Sequence, residues 1–211
     1  MKTQQTYLIS AAIMASIVGL VVLFIVTSKT DLVNDSPTSF DQLGGDFTLQ
    51  SINGEVSLSD YRGKAVVMYF GFMSCPDVCP NSLSVIKAAF NKLSAKHAEH
   101  SDALQGLMIS VDPKRDSLQS LDMFTKHFHP NIAGITGDSE QLKTIAKQYG
   151  ASFAKVKDPQ YDYLFEHVSR YYVIDQQGNL VDAMRHSTTP NELAARLSKT
   201  LQTPDMPKKT I

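Results

Sequence analysis

The run Ala65-Val66-Val67-Met68-Tyr69-Phe70 is apolar at every position, the pattern of a strand buried on both faces rather than one that alternates between core and water. It predicts a central strand. Leu107-Met108-Ile109-Ser110-Val111 predicts a second of the same kind, and between the two Leu83, Ile86, Phe90 and Leu93 fall at helical spacing. Ahead of them, residues 47–52 and 55–58 flank Asn53-Gly54, a dipeptide that tolerates the positive φ angles of a two-residue hairpin. Helices are predicted over 117–128 and 139–149, the latter stopped by Gly150 in the position a C-cap prefers. Tyr171-Tyr172-Val173-Ile174 and Leu180-Val181-Asp182-Ala183 flank Gln176-Gln177-Gly178 and read as a closing hairpin. A last helix begins at Thr189-Pro190-Asn191-Glu192, where Thr caps, Pro fits the first turn and Glu closes a capping box.

Strands alternating with helices, then a hairpin and a terminal helix, predict an α/β fold: a mixed sheet with flanking helices, opened by an N-terminal hairpin. That arrangement fits a thioredoxin-like domain. The 211 residues hold one such domain plus an accessory segment, and are too few for two ordinary domains.

The accessory segment is N-terminal. Residues 7–27 are 21 positions without a charge, which at about 1.5 Å each cover the ~30 Å hydrocarbon core of a bilayer. A cleaved signal peptide is the alternative, but its apolar region is shorter and ends in a small-residue site, whereas here the run passes straight into Thr27-Ser28-Lys29. The predicted organisation is a cytoplasmic N-terminus (1–6), a transmembrane anchor (7–27), a tether rich in Ser, Thr, Asp and Gly (28–46), the domain (47–202) and a flexible tail (203–211). Lys2 and the α-amino group favour a cytoplasmic N-terminus, and no Arg precedes the span as a mitochondrial transit peptide would require. The expected setting is a bacterial inner membrane, crossed once, with the domain facing the periplasm. Lys and Arg number 20 against 21 Asp and Glu, so no basic excess exists to neutralise phosphates and a nucleic-acid partner is excluded.

The only two cysteines, Cys75 and Cys79, lie in Phe70-Gly71-Phe72-Met73-Ser74-Cys75-Pro76-Asp77-Val78-Cys79-Pro80, between the central strand and the first domain helix, where α/β sheets place reactive groups. Each precedes a proline, which disfavours helical angles, so the helix is expected to start at Pro80 with Cys79 at its N-cap. There the free amides of Asn81, Ser82 and Leu83 would lower the Cys79 pKa, with Cys75 more exposed in the loop. A disulfide that merely staples the loop is the alternative; closing a ring around three residues restrains the unfolded chain little, so a redox-active pair is the preferred reading.

Two thiolates are soft donors suited to Cu(I) and leave room for an imidazole. Of six histidines, His97, His100, His127, His129 and His186 read as surface residues. His167 follows Asp162-Tyr163-Leu164-Phe165-Glu166 and leads into the strand near Tyr171, at the sheet end expected beside the cysteines; a capping or surface histidine in a polar loop is the other reading.

With these residues the sequence resembles the Sco/SenC family of thioredoxin-like copper proteins. The resemblance covers about residues 40–201 and rests on Tyr69-Phe70-Gly71-Phe72, Cys75-Pro76-Asp77-Val78-Cys79-Pro80, Ser110-Val111-Asp112-Pro113 with Arg115-Asp116, Gly134-Ile135-Thr136-Gly137, and Asp162-Tyr163 before His167. It implies copper, as Cu(I) or Cu(II), bound by Cys75, Cys79 and His167, and a role in assembling the binuclear copper centre of cytochrome c oxidase. Met73 departs from the family pattern; packing and approach to copper are its two readings. Asp77 is a turn former or an outer carboxylate, and Asp112 and Arg115 support the site or shape their loop. The implied partners are the copper-bearing oxidase subunit or another copper acceptor, and a periplasmic thiol reductase that keeps the cysteines reduced. Two other functions use the same residues: a thiol:disulfide oxidoreductase acting on a copper acceptor, and a copper or redox sensor. Disulfide exchange needs only the two cysteines, so His167 separates it from copper carriage.

Overall fold

The computed structural model describes residues 42–96 and 100–202, together with Met14. The chain divides into a unit of residues 1–39 and a unit of residues 40–211, and the second contains the folded domain. The predicted span and the tail from Thr203 lie outside the described residues, Met14 excepted. Among the described residues no helix is long and apolar enough to cross a membrane.

Nine strands and four α-helices succeed one another among the described residues. Strands β1 (Thr48–Ser51) and β2 (Gly54–Ser57) form the opening hairpin. The turn falls one residue earlier than expected, on Ile52-Asn53, because Gly54 pairs with Ser51 and takes the positive φ of 106° itself. After a 3-10 turn (Leu58–Tyr61) come β3 (Ala65–Gly71), helix α1 (Val78–Lys96), β4 (Leu104–Ser110), α2 (Leu118–Phe128) and β5 (Ile132–Ile135). Next are α3 (Ser139–Gln148), β6 (Phe153–Asp158), β7 (Asp162–His167), β8 (Arg170–Ile174), β9 (Leu180–Arg185) and α4 (Pro190–Gln202).

The main sheet has the order β5-β4-β3-β8-β9. β3 runs parallel to β4 and β4 to β5, whereas β8 is antiparallel to both β3 and β9. Every residue of β3 and β4 is buried, as their unbroken apolar runs require. This is the mixed, thioredoxin-like sheet expected. Thr189 and Glu192 close the capping box the sequence predicted, and the two preceding helices are capped as well: Ser117 accepts from the Ser120 amide, and Asp138 from those of Glu140 and Gln141.

Three features differ from expectation. β5 and the β6–β7 hairpin were not predicted: β5 is four residues with a glycine, and β6 carries exposed Lys155 and Lys157 on a half-buried ribbon, so neither gives a clean apolar signal. Residues 44–46, read as tether, are tied to the domain, with the Gly44 amide donating to the Gln148 carbonyl and the Tyr149 hydroxyl to the Gly45 carbonyl. Finally, α1 starts at Val78 rather than Pro80. The Asn81 amide donates to the Asp77 carbonyl, which makes Asp77 the residue before the first turn. Proline in a first turn lacks only a donor that has no partner there, so helical geometry at Cys79 costs no hydrogen bond.

Candidate functional site

β3 ends at Gly71, and the chain turns through Phe72–Asp77 into α1. Gly71 is required by packing: a Cβ there would sit 2.8 Å from Tyr69 Cε1 and 2.9 Å from Cys79 Sγ. Cys79, in the first turn of α1, is therefore drawn tightly under the strand and is fully buried, while Cys75 in the loop is half-buried. Both are free thiols.

His167 reaches the same place from the other side. The β3–β8 register pairs Met68 with Tyr172 and runs antiparallel, so the residues just before β8 lie beside the C-terminal end of β3. There His167, the last residue of β7, sets Nε2 4.0 Å from Cys79 Sγ, although the two are 88 residues apart in the chain. His167 thus ends a strand and is not part of a loop.

The electrostatics of the pair reverse the sequence expectation. The Cys79 thiol donates to Cys75, and the backbone N–H groups of Cys79 and Asp77 add to it, holding Cys75 down at about 5 against the opposing effect of burial. The Cys75 sulfur and burial push Cys79 up. The amide of Asp77 just before α1 and that of Cys79 in its first turn therefore serve Cys75, which precedes the helix. Cys75 is the thiolate and Cys79 the thiol.

Burial also lowers the His167 pKa, opposed by the Phe165 carbonyl. Nδ1 faces that carbonyl at 3.3 Å, so the neutral ring carries its proton there and presents a lone pair at Nε2. The hydroxyls of Tyr69 (3.4 Å) and Ser169 (3.2 Å) face Nε2. Tyr69, completely buried, also lies 3.8 Å from Cys79 Sγ. Its hydroxyl touches two of the three candidate residues, a role hidden in the sequence because Tyr69 reads as one more apolar position in β3.

A ring of polar contacts fixes this geometry. Asp116 Oδ2 accepts from the Met73 amide (2.9 Å) and the Ser110 hydroxyl (2.6 Å), pinning the cysteine loop. Asp112 accepts from Arg115 Nε through one oxygen and from the Tyr163 hydroxyl, at 2.9 Å, through the other. Arg115 Nη1 donates to the Tyr161 and Tyr163 carbonyls on the β6–β7 ribbon. Asp112 and Arg115 thus position the ribbon that ends in His167. Met73 packs against the core. Asp77 accepts from the Asn81 side-chain amide. Of the other described histidines, His127 and His186 are exposed, and His129, expected at the surface, is half-buried edge-on against Phe90, their centroids 5.3 Å apart. His97 lies outside the described residues.

A family model described as SCO1/SenC matches residues 35–202. The chain belongs to the SCO1/SenC family. Among its relatives, an SCO2-like protein of Rickettsia conorii is 35% identical over 155 residues, 72% of this chain and 74% of the relative. The crystal structure of Arabidopsis thaliana ScoI with copper bound superposes with a TM-score of 0.70 at 31% identity, covering 76% of this chain and 98% of that one. Yeast Sco1 with copper bound gives 0.69 at 33% identity, covering 80% and 92%. Within the SCO1/SenC frame Cys79 and His167 lie 4.0 Å apart, with Cys75 hydrogen-bonded to Cys79. No three His, Cys, Asp or Glu side chains among those residues, however, are already gathered closely enough to hold a metal ion.

Proposed function

We propose that this protein is a membrane-anchored copper carrier that receives copper on the periplasmic side of a bacterial inner membrane and passes it to the binuclear copper centre of cytochrome c oxidase. The observation that carries this reading is the 4.0 Å separation of Cys79 Sγ and His167 Nε2. Bonds of about 2.3 Å to sulfur and 2.0 Å to nitrogen, typical of a d10 ion, span up to about 4.3 Å, so the gap admits one ion bound to both. Cys75, half-buried in its loop, supplies a third donor by a small shift of that loop. The copper-bound relatives support the cargo, and the uncharged stretch 7–27 supports the anchor.

The chain's own residues suit reversible loading. Cys75 is already a thiolate, and the imidazole is neutral with its lone pair directed at the site. Only Cys79 has a proton to lose, and the Tyr69 hydroxyl is placed to donate to the sulfur anion that results. The more exposed Cys75 is the donor an acceptor displaces first. Titration of the reduced chain with Cu(I) under anaerobic conditions, against a chromophoric chelator, should give one tight site. His167→Ala and Cys75→Ser should each weaken it. Unchanged affinity in both variants would overturn the three-ligand reading.

A second reading, a thiol:disulfide reductase, is favoured by the split between a thiolate at Cys75 and a thiol at Cys79. Cys75 would attack an acceptor disulfide, and Cys79 would resolve the mixed disulfide, leaving a Cys75–Cys79 disulfide and a reduced acceptor. In Cys79→Ser the mixed disulfide would accumulate. His167→Ala should leave this exchange intact, which separates the two activities.

A further inference from the structure

The β6–β7 ribbon borders a second cavity, separate from the cysteines, of about 280 Å³. That is close to the low end of the roughly 300–1,000 Å³ of small-molecule sites. Its floor is aromatic: Phe165 meets Phe153 and Tyr163 edge-to-face at centroid distances of 5.9 and 5.8 Å. Its rim carries Lys114, Lys143 and Lys155.

These cations outnumber the acids available to them. Among the described residues the one carboxylate in the lining is Asp112, and both its oxygens are occupied, one by Arg115 and one by the Tyr163 hydroxyl. Lys143 has the exposed Glu140, but neither Lys114 nor Lys155 has an ion-pair partner among the described residues. Lys155 Nζ instead lies 3.2 Å from the Tyr163 ring centroid, and Arg115 Cζ lies 3.7 Å from it. Two cations that close would collide on one face, so they cap opposite faces of the ring.

We propose that this cavity binds a carboxylate carried on a flat apolar body, with Phe153 and Phe165 receiving the body and the lysines the charge. A bare inorganic anion leaves the aromatic floor unused, and a cationic aromatic is repelled by the rim. Phe165 also packs on Phe72 at 5.6 Å, and Phe72 on His167 at 5.8 Å, so the cavity shares a wall with the cysteine–histidine site while using none of its donors.

The test is amide chemical-shift titration of the reduced, metal-free, full-length chain with phenylacetate, benzylammonium, inorganic phosphate and the peptide acetyl-Asp-Phe-Asp-amide. Phenylacetate or the peptide should saturably shift the amides of Ala154, Lys155 and Phe165, and benzylammonium and phosphate should not. Tighter binding of the peptide assigns the carboxylate to a partner protein, and tighter binding of phenylacetate to a free metabolite. Lys114→Gln with Lys155→Gln, both at exposed positions, should weaken binding about tenfold. Absence of a saturable shift with both carboxylates, an equal response to benzylammonium or phosphate, or unchanged binding in the double variant would overturn the proposal.

Discussion

The reversed roles of the two cysteines lead to a kinetic prediction in which absolute rate misleads and the pH profile decides. Cys75 is lowered from 9.0 to about 5, chiefly by the Cys79 thiol. At pH 7 it therefore carries about a hundredfold more thiolate than an unperturbed thiol. Each thiolate is a weaker nucleophile, however: with a Brønsted slope of about 0.4–0.5, four pK units make it roughly 40–100 times slower toward a disulfide. The two effects nearly cancel, so the rate of reaction with 2,2′-dithiodipyridine at pH 7 should be ordinary. The profile should not be: half-maximal near pH 5 and level above about pH 6.5. Cys79 then attacks the mixed disulfide, so the wild type releases two pyridinethiones and ends with a Cys75–Cys79 disulfide. Cys79→Ala should release one, and its midpoint should move up toward the usual ~8.5, because the leading stabiliser of the anion is gone. A wild-type midpoint near 8.5 would refute the assignment of the thiolate to Cys75. A midpoint still near 5 in Cys79→Ala would refute the thiol as its main cause.

Gly71→Ala forces a methyl to within 2.8–2.9 Å of two buried groups and should destabilise the domain by about 1–3 kcal/mol, read as a lower urea midpoint; an unchanged midpoint would contradict the packing. Tyr69→Phe removes the hydroxyl facing Cys79 and His167 and should weaken Cu(I) binding about tenfold, the worth of one hydrogen bond of ~1.5 kcal/mol to a charged sulfur, as measured by chelator competition. Burial raises the Asp116 pKa, so the folded state holds that proton to higher pH than the unfolded chain. Stability from this group is full below the ordinary carboxylate range and is lost as pH rises through the raised value. Urea unfolding of Asp116→Asn across pH 4–7 should lack that decline, and an identical slope in both proteins would count against it.

Much of this architecture can be read from local sequence. Buried parallel strands show themselves as unbroken apolar runs, and helix ends as the Thr189 cap and Gly150, because both signals depend on near neighbours. The β6–β7 ribbon does not, since exposed Lys155 and Lys157 share a face with Tyr163 and Phe165 while Glu166 is exposed on the other, so neither face shows a clean apolar alternation. The sequence did point to where Cys79 and His167 approach to 4.0 Å, with Cys75 hydrogen-bonded to Cys79. The internal chemistry of the site was not legible, because which cysteine receives the helix amides depends on whether α1 starts two residues earlier or later. A pre-proline rule alone does not decide that. Tyr69 and Asp116 stand out in the sequence only as members of longer motifs, since a buried hydroxyl and a buried carboxylate have no periodic signature.

The β6–β7 ribbon forms no ladder with the main sheet; it is an arm held by Arg115 near its tip and by the Val168–Ser152 hydrogen bond at its root. An arm fastened at both ends swings only if one fastening opens. Under the proposed copper reading, a guanidinium clasp that touches none of the three candidate donors would set how long the imidazole stays with the ion, so dwell time could be tuned without altering a donor.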